Sequence, residues 1–320
     1  MTISSTHQGS MSEASAALDA RAGAAPNRRR RRGPGTTGRG WLFLIPFGII
    51  AFGFLILPAI WGFVLSLTDR SLMGRGAFIG LDNYAQALGD PTMWQTLWNT
   101  LLFTVLSTVP LVVIALAMAI LVYTGVSGQW LWRFAFFAPY LLPSAVVVQI
   151  WVWLFEFDLG FINFWLQRIG LNPVGWLTDP NVAMMSMVIL TVWWTVGFNF
   201  LLYLSALQAI PDQQYEAATL DGAGPFRILR SIILPQMVGT TMVVGLLQLL
   251  NSLKVFDQMF IAFEGGAGPS GSTRSILQYI YDTGFTNYQV GYASAMSYIF
   301  FALVIILTVV VQALSRIRRK

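Results

Sequence analysis

The chain has 320 residues, 56% of them hydrophobic and only 10% charged, whereas a soluble domain carries charge on about a quarter of its residues. That balance excludes an ordinary water-soluble fold. The formal net charge of +5 is spread unevenly along the chain, and its distribution carries topological information.

The first forty residues are rich in Ser, Ala, Gly and Arg and show no apolar periodicity, so a disordered basic tail is expected over 1–40. It does not read as a cleavable signal peptide, because the apolar segment behind the Arg28 to Arg32 run has full membrane length. The Arg run reads as a topology anchor touching anionic membrane lipid; nucleic-acid binding is the alternative, and no nucleic-acid partner is expected.

Six apolar blocks follow, roughly 41–67, 96–123, 131–155, 182–208, 237–262 and 291–314. Each reaches the ~20 residues that a helix needs to cross a bilayer core. Short alternating strand segments are missing, so the prediction is an all-α polytopic membrane domain with six transmembrane helices over 41–315, then a basic tail at 316–320. Arg21, Arg28 to Arg32 and Arg39 precede the first span, and Arg316, Arg318, Arg319 and Lys320 follow the last. Both termini are therefore expected on the cytoplasmic side of a prokaryotic inner membrane, as an even number of spans requires. Loops two-three and four-five then face inward with Arg133, Arg227 and Arg230, against Arg70, Arg75, Arg168 and Arg274 outside. Fourteen basic residues inside and four outside, with Lys254 in a span, satisfy the positive-inside rule.

Missing residue types close off several chemistries. There is no Cys, and the single His7 lies in the tail, which excludes disulfides, thiolate nucleophiles, iron-sulfur ligation and His-based metal or acid–base chemistry. The two lysines, Lys254 and Lys320, do not follow a Gly-rich turn, so the chain lacks a phosphate-binding loop. Neither a catalytic residue, a metal site nor a cofactor is expected, and the chain does not read as an enzyme. Glu156 and Asp158 fall at the outer end of the third span, and Asp257 lies in the outer part of the fifth, three residues from Lys254. At helical spacing Lys254 and Asp257 are expected to share a face and neutralise one another, with an ion-coupling site as the alternative.

The loop between spans four and five is the most specific segment. Pro211 opens a short helix with Asp212 and Glu216 near its N-terminus, and Gly222 closes it in a left-handed cap. Pro225 starts a second short helix running to Leu234, and Pro235 is expected to stop it before the fifth span begins. On the first helix Tyr215, Ala218 and Thr219 share one side, Glu216 projects from another, and Ala217 and Ala218 keep the surface low for a partner's backbone.

These residues resemble the cytoplasmic loop of the permease subunits of binding-protein-dependent ABC importers. That loop carries Glu-Ala-Ala, three residues, Gly, nine residues, then Ile, one residue and Leu-Pro, matched here by Glu216, Ala217, Ala218, Gly222, Ile232, Leu234 and Pro235. The resemblance implies a coupling helix seated in a cleft of a separate ATPase subunit, and assigns coupling to Tyr215, Glu216, Ala217, Ala218, Asp221 and Gly222. It extends over most of 41–315. Gly80-Leu81-Asp82-Asn83-Tyr84, Asn99-Thr100-Leu101, Gly160-Phe161-Ile162-Asn163 and Gly291-Tyr292-Ala293-Ser294-Ala295 are similar to the carbohydrate-type branch, in particular the first permease of a heterodimeric pair. One departure is Gly265-Gly266-Ala267-Gly268-Pro269, where the family usually has Gly-Gly-Pro directly, which implies an altered contact with the binding protein.

The resemblance to maltose-type permeases further implies solute contacts from spans four and five, at Trp194, Thr195, Phe198, Gln248, Asn251, Ser252 and Val255. Residue chemistry agrees: the last four recur at three, four and seven residues, giving one helical face with amide and hydroxyl groups. Trp194 and Phe198, four apart, present aromatic faces. For any one of these residues helix packing is the competing role. The absence of Arg deep in any span favours a neutral sugar over glycerol phosphate or phosphodiesters. The partners implied are a second permease, two ATPase subunits and an extracytoplasmic solute-binding protein. An ion-coupled secondary transporter, the lesser alternative, would need mid-membrane carboxylates and inverted repeats, and the sequence offers only Asp257 near Lys254 and no detectable repeat. A membrane enzyme would need a convergent catalytic set, which the lack of Cys and of intramembrane His disfavours.

Overall fold

The computed structural model describes residues 40–125 and 127–317; the expected basic tail before Gly40 and the last three residues lie outside them. Two units are distinguished, Met1–Ala59 and Ile60–Lys320. In the first, α1 (Gly40–Ala51) passes through a π turn at Phe52–Ile56 into the first residues of α2 (Leu57–Ser66). The stretch Leu44–Ser66 is long and apolar enough to cross a membrane.

The second unit continues with α3 (Asp82–Gly89), α4 (Pro91–Tyr123), α5 (Gln129–Phe137), α6 (Ser144–Leu154), α7 (Phe161–Arg168) and α8 (Ala183–Leu207). There follow α9 (Asp212–Leu220), α10 (Pro225–Ile228), α11 (Leu234–Leu253), α12 (Asp257–Ala262), α13 (Ile276–Tyr281) and α14 (Val290–Ile317). Among the described residues the architecture is all-helical, apart from one isolated bridge between Thr68 and Phe78.

Helix α4 shows how the sequence builds a span. Asp90 caps it by accepting the Thr92 N–H at 2.8 Å, and Pro91 occupies the first turn, where its missing N–H costs nothing. Thr96, Thr100 and Thr104 follow at intervals of one turn, all buried; Thr100 and Thr104 donate to the carbonyl four residues back, which satisfies hydroxyls where water is absent. Further along, Leu111, Ala115 and Ala119 are fully buried, and the small side chains let neighbouring backbones approach. Helix α8 packs along α4, and α11 packs against both. One core cluster, with Leu111, Phe200, Tyr203, Leu207 and Met237, joins these three helices toward the end that carries α9. Two others, around Phe103, Met187 and Met259 and around Met93, Leu253 and Met296, fill the opposite half.

Three expectations are corrected. The third apolar block is not one straight helix: Gln129–Leu141 and Ser144–Leu154 meet at a bend of 97°. Leu142 is extended (φ −77°, ψ 141°) because Pro143 follows it, and a proline disfavours the helical conformation in the residue before it. Helix α8 accommodates the break through Gly197, where a Cβ would come within 2.2 Å of the Phe136 carbonyl oxygen. Second, Pro235 does not stop a short helix. A π turn at Leu229–Ile233, in which the Leu234 N–H reaches the Leu229 carbonyl, relieves the proline's conflict with the preceding turn. The helix therefore runs unbroken over Pro225–Leu253. Third, that helix ends at Leu253 rather than near 262, because Phe256 (φ −149°, ψ −66°) is non-helical. Lys254 and Asp257 thus lose helical spacing, and among the described residues they form no ion pair; the pair present there is Arg274–Asp282.

Candidate functional site

Helix α9 and the turn after it form a compact polar hairpin between α8 and the long Pro225–Leu253 helix. Gly222 takes φ +73°, a conformation costly for residues with a Cβ. The Ala223 N–H bonds the Ala218 carbonyl at 2.9 Å and the Gly222 N–H bonds Thr219 at 3.0 Å, the paired bonds of a Schellman cap. Glu216, Ala217 and Asp221 are exposed, as are Leu220 (89%) and Phe226 (74%). Ala218 is half-buried. Tyr215 turns the other way: it packs on the cluster around Leu207 and Tyr203, its ring 6.0 Å from that of Tyr123, and burial pushes its hydroxyl pKa up. It anchors the hairpin, and the exposed surface is completed by Leu220 and Phe226, which the sequence did not single out.

All seven residues expected to contact solute line one cavity of about 230 Å³ between α8 and the end of α11. Phe198 stacks on Tyr140, with centroids 5.4 Å apart, and the Trp194 indole N–H donates to the Leu142 carbonyl at 3.2 Å. The bend of the third span thereby supplies part of the aromatic wall. Opposite lies a polar chain: Asn199 donates to the Gln248 side-chain carbonyl at 2.9 Å, Gln248 donates to Ser252 at 3.0 Å, and Ser107 bonds Ser252 at 3.0 Å. Gln248 and Ser252 are therefore already engaged between helices. The Asn251 amide is exposed and makes no side-chain hydrogen bond among the described residues. Thr195 returns its hydroxyl to the Thr191 carbonyl, and Val255 is buried with Phe103. Phe103, Tyr140, Thr191, Lys254 and Gln258 also line the cavity. Phe103 and Tyr140 come from other elements and Gln258 follows the break at Phe256, whereas Thr191 lies one turn before Thr195 on α8 and the sequence reading assigns Lys254 to a pair with Asp257. A larger groove of about 990 Å³, bordered by Val109, Phe136, Trp151 and Trp193, lies where the third span bends. Its wall is almost wholly apolar and offers little to hold a polar solute.

The chain that builds this exposed hairpin and cavity matches, over residues 94–320, the family described as binding-protein-dependent transport system inner membrane component. The chain belongs to this family. It is 31% identical over 281 residues to the trehalose/maltose transport system permease protein MalF of Thermococcus litoralis, covering 88% of this chain and 94% of that protein. It is 30% identical over 279 residues to the lactose transport system permease protein LacF of Rhizobium radiobacter, covering 84% and 91%. A bacterial ABC transporter involved in import of the acidic polysaccharide alginate shares the fold, with a TM-score of 0.77, 23% identity and coverage of 88% and 98%. This multi-pass ABC importer permease is thus a transport component and not an enzyme.

The permease's other recurrent motifs prove to be pins between segments. The buried Asn83 side chain donates to the Ser66 and Thr68 carbonyls. Asn99 holds the Gly271 and Arg274 carbonyls, and Thr100 accepts the Ile276 N–H. Asn163, fully buried, bonds both the N–H and the carbonyl of Val174 and accepts from the Trp176 indole. Tyr292 donates to Asp90, as does Tyr279. The lengthened glycine loop is held by Gln278, whose amide donates to the Gly265 and Gly266 carbonyls at 3.1 and 2.8 Å.

Proposed function

We propose that this permease forms one half of the transmembrane pathway of an ATP-driven sugar importer. It pairs with a second permease, receives its solute from an extracytoplasmic binding protein, and couples to two ATPase subunits through the hairpin from Tyr215 to Gly222. The basic tails at 1–40 and 316–320 and the hairpin face the cytoplasm. The observation that carries the reading is the single cavity lined by Trp194, Thr195, Phe198, Gln248, Asn251, Ser252 and Val255, walled by the two helices that the hairpin connects. An aromatic wall facing amides and hydroxyls is the chemistry of a sugar site. A shift of the hairpin is transmitted along α8 and α11, so docking and solute access are linked by rigid elements. Relatives named for trehalose/maltose and lactose transport support a sugar as cargo.

The test is sugar uptake by proteoliposomes holding the whole importer. Glu216→Lys reverses the charge on the exposed face, and Gly222→Asp strains the cap. Each is expected to abolish uptake while the complex still co-purifies. Persisting uptake in both variants, with the complex intact, removes the coupling assignment.

A further inference from the structure

Lys254 is the one charged side chain on the wall of the solute cavity. It is exposed, follows the last residue of α11, and forms no ion pair among the described residues. The acid nearest in sequence, Asp257, lines a neighbouring cavity of about 370 Å³ with Lys254, Phe256 and Tyr281, and is not on the solute cavity's wall. The expectation of a neutral solute rests on the absence of Arg from the spans, and sets Lys254 apart as the partner of Asp257; with helical spacing lost at Phe256 that pair does not form, so a cation is left at the cavity. A purely structural lysine would gain from the carbonyl end of α11, but that role does not require it to border the cavity.

Occluding a neutral sugar here would strip water from an ammonium group and give it no counter-charge, which is costly. A carboxylate answers it in kind. The Asn251 amide, which makes no side-chain hydrogen bond among the described residues, and the Gln258 amide, which donates to Thr191 only at 3.4 Å, add N–H donors suited to an acceptor-only anion. A doubly charged phosphate would want more than one cation or an Arg fork. The geometry points to a singly charged acidic sugar as the permease's cargo, its carboxylate seated against Lys254. This rests on the sugar-importer reading above.

The experiment uses the reconstituted importer with its binding protein and ATPase subunits. The probes are a neutral disaccharide and the same disaccharide with one hydroxymethyl group oxidised to a carboxylate. The acidic sugar is expected to stimulate ATP hydrolysis at roughly tenfold lower concentration than the neutral one, the scale of one hydrogen bond to a charged group. Lys254→Gln should erase that advantage and Lys254→Arg should keep most of it, with assembly of each variant checked by co-purification. Stimulation by the neutral sugar alone, or an acidic-sugar advantage intact in Lys254→Gln, overturns the acidic-cargo proposal and leaves the sugar-importer reading standing. No response to either sugar, with basal ATP hydrolysis present, overturns both.

Discussion

Two amides three residues apart on α11 have opposite circumstances. Gln248 is 6% exposed, accepts from Asn199 and donates to Ser252, whereas Asn251 is exposed and unengaged among the described residues. Removing Gln248 leaves the buried Asn199 amide without its partner, while Ser252 keeps its bond to Ser107; one unsatisfied buried group costs about 1–3 kcal/mol. Gln248→Ala is therefore expected to lower the melting temperature of the purified importer. Asn251→Ala should leave the melting temperature unchanged and raise the sugar concentration for half-maximal uptake by roughly five- to tenfold, as expected for one lost hydrogen bond. If Asn251→Ala melts early while Gln248→Ala impairs only uptake, the roles are reversed. Periodicity alone placed 248, 251, 252 and 255 on one face. It could not separate these two amides, because the partner that engages Gln248 is 49 residues away.

At the scale of elements, apolar blocks were legible wherever composition and backbone agree, as in α4 and α8. They failed where an apolar run continues through a broken backbone. Pro139 and Pro143 signalled the bend of the third span, yet a run that stays apolar on both sides reads as one helix. Phe256 breaks the fifth block without any Gly or Pro to announce it. The N-terminus of α4 illustrates a junction that the sequence left unread. Asp90 caps the helix and also accepts from the Tyr279 and Tyr292 hydroxyls, joining α4 to α13 and α14. Burial pushes the Asp90 pKa up, but these hydroxyls and the Thr92 and Met93 N–H groups outweigh burial and hold it below the ordinary 3.8. A depressed folded-state pKa means that the contribution to stability is complete above the ordinary value and is lost as pH falls through the folded one. The melting temperature should thus drop in acid below about pH 4 more steeply in the natural chain than in Asp90→Asn, which should be the less stable of the two at neutral pH. Parallel curves for the two proteins would show that the junction does not depend on this carboxylate.

For the whole molecule, the decisive quantity is the distribution of charge about the bundle. The hairpin with Arg227 and Arg230 stands at one end, and the segment between α6 and α7 stands at the other, as the succession of spans requires. Because the Arg-rich termini agree in sign with the hairpin, the positive-inside rule predicts a cytoplasmic hairpin, the side that the proposed coupling to an ATP-consuming partner requires. The natural chain contains no Cys, so a single introduced thiol reports its own side of the membrane without background. Leu220 on the hairpin is 89% exposed and Leu159 at the far end is 83% exposed, which makes both reachable by a membrane-impermeant maleimide. Leu159→Cys is expected to react in right-side-out vesicles and Leu220→Cys only in inside-out vesicles. The opposite pattern would invert the bundle, put the exposed face of Glu216, Ala217 and Asp221 outside, and remove the physical basis for coupling through that hairpin.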